Sequence, residues 1–137
     1  MPLFLWKKSY EIGIPEIDMQ HRKLVGMINE LSDAMLEQRG YRAVPHILEE
    51  LAEYVALHFS DEEKVMKKYD FPDAPQHFLA HETFARKVVD FKEIYDLEKD
   101  INVRELLDFL CGWLKNHITV NDKAIAKHIR RVEMGLV

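Results

Sequence analysis

The chain has 137 residues, with 19 Lys or Arg and 24 Asp or Glu, so its formal net charge is −5 when its seven histidines are counted as neutral. This length predicts one domain, and an apolar content of 47 % excludes a disordered chain. The acidic balance argues against nucleic-acid and anionic-membrane partners, and no apolar run approaches the roughly 18 residues of a membrane span.

The first predicted elements are an arm and two long helices. Before the first long periodic segment, Gly and Pro residues indicate a non-helical arm at about 1–14. Apolar residues at helical spacing then predict helix A at about 16–38 and helix B at about 43–69. Pro45 is expected in the first turn of helix B, where a proline is tolerated.

Two further helices complete the predicted fold. Helix C is predicted at about 75–97 and helix D at about 102–133. Asn102 is an N-cap candidate for helix D, with Glu105 three residues later as in a capping box. Four helices of roughly 20 residues joined by short loops predict an all-α, antiparallel up-down-up-down bundle, with residues 1–137 forming one domain.

The buried stripes of these helices contain unexpected residues. A single histidine in such a stripe is usually a hydrogen-bonded core residue. Five imidazoles and a carboxylate converging in one core, however, cost free energy unless a partner satisfies them, and a bound metal is such a partner. The residues concerned are His21 in helix A, His58 and Glu62 in helix B, His77 and His81 in helix C, and His117 in helix D.

Two pairs have a spacing that suits metal binding. His58 and Glu62 are four residues apart, as are His77 and His81. This separation places both members of a pair on one helix face, about 5–6 Å apart at Cβ. Each pair can therefore bind one metal ion or two neighbouring ions.

Helix D contains an irregular step. Its buried stripe resumes at Asp122, five residues after His117, and on a regular α-helix that step rotates the side chain by about 140°. For Asp122 to join the site, one residue must be absorbed between the two. A π-bulge would do this, and π-bulges are frequent at functional sites, although a break in the helix would serve as well.

The candidate ligand set favours a pair of irons. Five histidines and two carboxylates are too many ligands for one ion, too rich in nitrogen for calcium or magnesium, and without the thiolates of structural zinc sites. Two six-coordinate irons would use five imidazoles, two bridging carboxylates and one bridging oxide or hydroxide, leaving one coordination position open. An open position on a redox-active pair in an apolar core suits a small molecule, of which dioxygen is the natural candidate.

The sequence resembles the hemerythrins, specifically the single-domain bacteriohemerythrins, over nearly its whole length. A single HxxxE or HxxxH motif would be weak support, but the complete set in this order is specific. The matching pieces are Trp6, the segment 13–21 (GIPEIDMQH), the segment 58–63 (HFSDEE), the segment 77–81 (HFLAH), and the segment 113–117 (WLKNH) followed by Asp122.

The resemblance implies a role for each matching residue. One iron would be bound by His77, His81 and His117. The other, with the open position, would be bound by His21 and His58. The two non-haem irons would be bridged by Glu62, Asp122 and an oxide or hydroxide. The oxygen pocket would be formed by Phe59, Trp113, Leu114 and Ile118, which would exclude water and could equally be ordinary core residues.

The resemblance implies a protein that binds dioxygen reversibly as a carrier, store or scavenger, rather than an enzyme. A di-iron oxidase or peroxidase is the first alternative, but the Glu-x-x-His motif of ferritin-like oxidases is missing from the sequence. The second is an oxygen or redox sensor, which would act through a separate partner because the chain ends soon after helix D. A metal-free structural bundle is the last alternative.

Three residues remain outside the predicted site. His46 is expected to be exposed in helix B, and His128 to lie at the core boundary late in helix D. Cys111 is expected to be a buried free thiol, since no second cysteine can pair with it. One cysteine and no secretory signal favour a cytoplasmic location.

Overall fold

A computed structural model of the chain describes residues 4–98 and 101–136, without the side chain of Glu98. The predicted all-α four-helix bundle is confirmed, with α1 packed against α2 and α4, and α2 packed against α3. The described residues contain no strand. The helices are α1 (Pro15–Leu36), α2 (Gly40–Lys68), α3 (Ala74–Glu98), α4 (Val103–Asn116) and α5 (Lys123–Glu133), and a π-helical segment (His117–Asp122) joins the last two into one rod.

The connection between the first two helices is shorter than predicted. α1 ends at Leu36 rather than near 38, and α2 begins at Gly40 rather than near 43, so Pro45 lies in the second turn of α2 and not in the first. Gly40 permits this tight connection. A Cβ atom at that position would lie only 3.2 Å from both Met35 Cα and Val103 Cγ1.

The start of the fourth rod agrees with its predicted cap. The Asn102 side chain accepts a hydrogen bond of 3.0 Å from the Glu105 backbone amide, which satisfies one of the free amides of the first turn of α4. This cap fixes the point from which α4 runs towards the middle of the bundle.

The N-terminal arm is tied to α1 at two places. Phe4 exchanges two hydrogen bonds with the Asn29 side chain, of 2.8 and 2.9 Å. Farther along, the buried Asp18 carboxylate accepts a hydrogen bond of 2.8 Å from the Ile12 backbone amide. Between these ties the arm forms one 3₁₀ turn at Lys8–Tyr10, so it is not wholly non-helical, and its first three residues lie outside the described part.

The apolar core is divided along the bundle. The larger cluster includes Val55 and Leu114, and the smaller one includes Met66 and Ile125. On α2 the candidate ligands lie between Val55 and Met66, and on the fourth rod they lie between Leu114 and Ile125. The candidate ligands are therefore placed between the two apolar clusters. Within the described residues, every helix is too short or too polar to span a lipid bilayer.

Three of the helices end in the same hydrogen-bond pattern, the Schellman motif. At the end of α1, the Gln38 amide donates to the Met35 carbonyl and the Arg39 amide donates to the Ala34 carbonyl. The motif requires a residue with positive φ. After α5 that residue is a glycine, Gly135, with φ of 73°. After α1 and α2 it is not a glycine: Gln38 has φ of 60° and Asp70 has φ of 50°.

We predict that Gln38→Gly raises the free energy of unfolding by about 0.5–1 kcal/mol, because glycine adopts this backbone conformation without the steric cost that a Cβ atom brings. Urea denaturation of the wild type and the variant measures the change. Gln38→Ala is the matched control, since it removes the polar side chain but keeps Cβ, and it should not stabilise the protein. Equal stability of the two variants would contradict the steric explanation.

Candidate metal centre

The seven side chains predicted to bind metal come together in the interior of the bundle. Each residue is at most 6 % exposed. Every rod of the bundle contributes at least one of them: His21 from α1, His58 and Glu62 from α2, His77 and His81 from α3, and His117 and Asp122 from the two ends of the π-helical segment.

The π-helical segment explains how Asp122 reaches the cluster. The predicted π-bulge between His117 and Asp122 is confirmed, since the six residues from one to the other form π-helix. The wider turn returns a residue five positions on to the same face. The Asp122 Oδ2 atom therefore lies 3.0 Å from the His117 Nε2 atom, and both residues are at most 1 % exposed.

The Glu62 carboxylate lies at the centre of the cluster. Its Oε1 atom is 2.6 Å from His77 Nε2 and 3.2 Å from His81 Nε2. Its Oε2 atom is 2.9 Å from His58 Nε2 and 3.3 Å from His117 Nε2. The two oxygens thus contact different histidines, which is the arrangement that a bridging carboxylate requires.

The Asp122 carboxylate lies between the same two sides of the cluster. Its Oδ2 atom is 2.6 Å from His21 Nε2, and its Oδ1 atom is 3.3 Å from His77 Nε2. The ligand atoms form two overlapping groups, and within each group all the atoms lie within 4.8 Å of one another. The first group contains His21, His58, Glu62, His117 and Asp122. The second contains Glu62, His77, His81 and His117. The geometry therefore separates His21 and His58 from His77 and His81, and it places His117 in both groups.

The cluster does not satisfy its own polar atoms. His21 Nε2 and both Asp122 oxygens are buried without a hydrogen-bond partner, because their short contacts lack hydrogen-bond alignment. Each buried polar group left unsatisfied costs about 1–3 kcal/mol. A cation among the inward nitrogens and carboxylate oxygens would satisfy them together, and a donor set of imidazoles and carboxylates fits iron.

Electrostatic coupling within the cluster is strong. Burial lowers the pKa of the His77 imidazole, but its short contacts with the Asp122 and Glu62 carboxylates outweigh burial and raise that pKa to about 9. Burial likewise lowers the pKa of the His117 imidazole, but the charges of the same two carboxylates outweigh burial and raise that pKa to about 10. Burial raises the pKa of both carboxyl groups, yet His117 and its neighbours hold them below their usual values. Burial lowers the pKa of His81.

Apolar and aromatic side chains cover one side of the cluster. The Phe59 ring stacks on His81, with centroids 3.8 Å apart, and the half-buried Trp113 ring stacks on His117 at 4.5 Å. Leu114 and Ile118 are almost completely buried. A small apolar cavity of about 10 Å³ adjoins Trp113 and Leu114 and is lined otherwise by Leu24, Ile28, Leu51, Val55, Phe84 and Leu110. Two of the four predicted pocket residues, Phe59 and Trp113, thus contact candidate ligands, and Leu114 lines the cavity beside Trp113.

The three residues left outside the predicted site differ in outcome. The His46 side chain is 65 % exposed, as expected. His128 is half-buried, as expected, with its Nε2 atom 2.8 Å from the Tyr69 carbonyl oxygen. Cys111 is free but half-buried rather than buried, because it follows the buried Leu110 by one residue and so lies about 100° around the helix.

Gln20 is a site residue that the sequence reasoning missed. It is 4 % exposed, and its Oε1 atom lies 2.9 Å from His58 Nδ1. Its place in the sequence, directly before His21, does not indicate a contact with a residue of another helix. Only the packing of α1 against α2 creates that contact.

Comparison with known proteins agrees with this geometry. A family model described as the hemerythrin HHE cation binding domain matches residues 12–129. The chain belongs to the hemerythrin family. A bacteriohemerythrin of Clostridium acetobutylicum is 36 % identical over 126 residues, which are 88 % of this chain and 97 % of that protein. A bacteriohemerythrin of Stenotrophomonas maltophilia is 33 % identical over 95 % of this chain and 84 % of its own length.

More distant hemerythrins share the fold. A hemerythrin-like protein of Naegleria gruberi is 31 % identical over 87 % of each chain. The crystal structure of a leucine-to-alanine variant of hemerythrin superposes with a TM-score of 0.84 at 24 % identity, covering 93 % of this chain and 98 % of that one. At that identity, the structural likeness shows the four-helix fold alone.

We predict that metal uptake by the metal-free protein releases about two protons per chain at pH 7, because His77 and His117 must each lose the Nε2 proton before they can coordinate. The apparent metal affinity should therefore rise as the pH increases towards 9–10. Calorimetric titration with Fe²⁺ under argon, in buffers of different ionisation enthalpy, measures the released protons. The exposed His46 provides a control, since His46→Gln should leave the number unchanged. An affinity independent of pH would contradict the prediction.

Proposed function

We propose that residues 1–137 form one hemerythrin-like domain that binds dioxygen reversibly at a di-iron centre. The two non-haem irons would be bridged by Glu62, Asp122 and an oxide or hydroxide. The observation that carries this proposal is that the two oxygens of each carboxylate contact histidines on opposite sides of the cluster, which leaves buried polar atoms unsatisfied. The names of the related bacteriohemerythrins support it.

Two irons, when bound, supply the two electrons that dioxygen accepts on binding and take them back on its release. The protein holds the pair by its carboxylates, whose pKa values are lowered, so that Glu62 and Asp122 remain anionic and ready to bridge. The five imidazoles coordinate as neutral ligands. The centre therefore carries less negative charge than the carboxylate-rich sites that stabilise highly oxidised iron, which favours binding over oxidation of a substrate.

The apolar pocket controls what reaches the centre. Leu114 and Ile118 are at most 2 % exposed, and the rings of Phe59 and Trp113 stack on His81 and His117. Such a lining admits a small apolar gas and excludes the water that would promote irreversible oxidation. The pocket is thus proposed to preserve reversibility rather than to bind dioxygen through polar contacts.

The proposed function is tested by cycling anaerobically reconstituted diferrous protein between oxygen and argon while its visible absorption is recorded. We expect a band that appears under oxygen and disappears under argon over repeated cycles. Permanent conversion in the first cycle would contradict reversible binding and favour an oxidase. Absence of any oxygen-dependent band in protein that holds two irons would contradict oxygen binding itself.

We predict that Leu114→Ala speeds autoxidation several-fold, because the shorter side chain opens the dry pocket to water. The autoxidation rate is measured as the rate at which the oxygen-dependent absorption band is irreversibly lost. Leu106→Ala is the matched control, since Leu106 is equally buried on α4 but lies two turns farther from the cluster. Equal autoxidation rates in the two variants would mean that general destabilisation causes any change, and would contradict a specific role for Leu114.

A further inference from the structure

His58 differs from the other histidines of the cluster in the environment of its outer nitrogen. Its Nδ1 atom lies 2.9 Å from Gln20 Oε1, whereas the Nδ1 atoms of His21, His81 and His117 are buried without a partner. Gln20 in turn donates from Nε2 to Asp61 Oδ2 over 2.7 Å. A hydrogen-bonded chain thus runs from a candidate metal ligand through a buried amide to a carboxylate.

The chemistry of this chain fixes the direction of each hydrogen bond. An ionised carboxylate only accepts, so the Gln20 amide must present its NH₂ group to Asp61 and its oxygen to His58. The amide oxygen also only accepts, so His58 must carry its proton on Nδ1. The Nε2 atom of His58, which lies 2.9 Å from Glu62 Oε2, is then the nitrogen left to bind a metal, because Gln20 holds the proton of Nδ1.

Burial makes this arrangement rigid. His58 is completely buried and Gln20 is 4 % exposed, so neither side chain can exchange its partner for water. Asp61 is half-buried, and its negative charge, together with the larger effect of burial, raises the pKa of the nearby Tyr54 hydroxyl. The acidic end of the chain therefore contacts solvent, while the amide end is enclosed by the bundle.

We propose that Gln20 and Asp61 are positioning residues that hold His58 in the orientation and tautomer required for metal binding. Neither residue touches the metal position. This inference rests on the proposed di-iron function, because it assigns His58 to one of two metal positions. Loss of such an outer hydrogen bond weakens metal binding by about 10–100-fold in known sites, and here the loss should fall on one metal position only.

The test begins with three single variants of the metal-free protein, titrated with Co²⁺ under argon to resolve two binding steps. Gln20→Leu and Asp61→Asn should each weaken one step by about 10–100-fold and leave the other within about twofold. Glu63→Gln is the charge-matched control, since it removes a negative charge two residues along α2 from a half-buried position. It should leave both steps unchanged within the same limit, which separates positioning from a general loss of negative charge.

A charge-and-amide exchange gives the second arm of the test. In the double variant Gln20→Glu with Asp61→Asn, the new carboxylate accepts from His58 Nδ1 and the new amide donates to that carboxylate. The net charge of the wild type is preserved, and the hydrogen-bond directions at His58 are restored. We expect the double variant to recover the binding step that Asp61→Asn weakens, which a merely structural effect of residue 61 would not produce.

Nitrogen-15 NMR of the imidazoles gives a readout that does not depend on metal. In the metal-free wild type and the double variant, His58 Nδ1 should carry a hydrogen-bonded proton, and in Asp61→Asn a fraction of the molecules should lack this Nδ1 proton. Two binding steps in the wild type, with no selective weakening in Gln20→Leu or Asp61→Asn, would overturn this inference alone. Fewer than two bound metals in the wild type would overturn the proposed function and the inference with it.

Discussion

Seven polar side chains buried between two apolar clusters impose the main physical constraint on this structure. Each is at most 6 % exposed, and their contacts with one another leave His21 Nε2 and both Asp122 oxygens unsatisfied. Each such unsatisfied group costs about 1–3 kcal/mol of stability. Together these costs are a substantial part of the free energy of unfolding of a typical domain, which is about 5–15 kcal/mol. The sequence nevertheless places all seven in the core, and bound cations would make this placement favourable.

The rest of the bundle positions and protects these ligands. Pairs of residues four apart on α2 and α3 place two side chains each on one face, and the π-helical segment brings Asp122 back to the face of His117. The apolar clusters on either side stabilise the four rods and exclude solvent from the centre. The hydrogen bonds of Asn29 and Asp18 tie the N-terminal arm to α1, the helix that carries His21.

Much of this could be predicted from the sequence, because helical periodicity and the spacing of ligands are local properties. The five-residue step from His117 to Asp122 predicted either a π-bulge or a break in the helix, and the structure has the π-helical segment. The short connection between α1 and α2 was not predicted, because it depends on how closely Gly40 approaches Met35 and Val103. The contact of Gln20 with His58 was missed for a related reason, since it is decided by packing between helices that no spacing encodes. The half-buried position of Cys111 was missed although its one-residue step from the buried Leu110 indicates it.

The proposed function requires that the cluster hold two metal ions bridged by carboxylates. Anomalous diffraction at the iron absorption edge, from crystals of protein reconstituted with Fe²⁺ under argon, tests this claim directly. We expect two anomalous peaks per chain about 3.5–4 Å apart, with Glu62 and Asp122 each reaching both. A single peak, or two peaks that share no carboxylate, would contradict it.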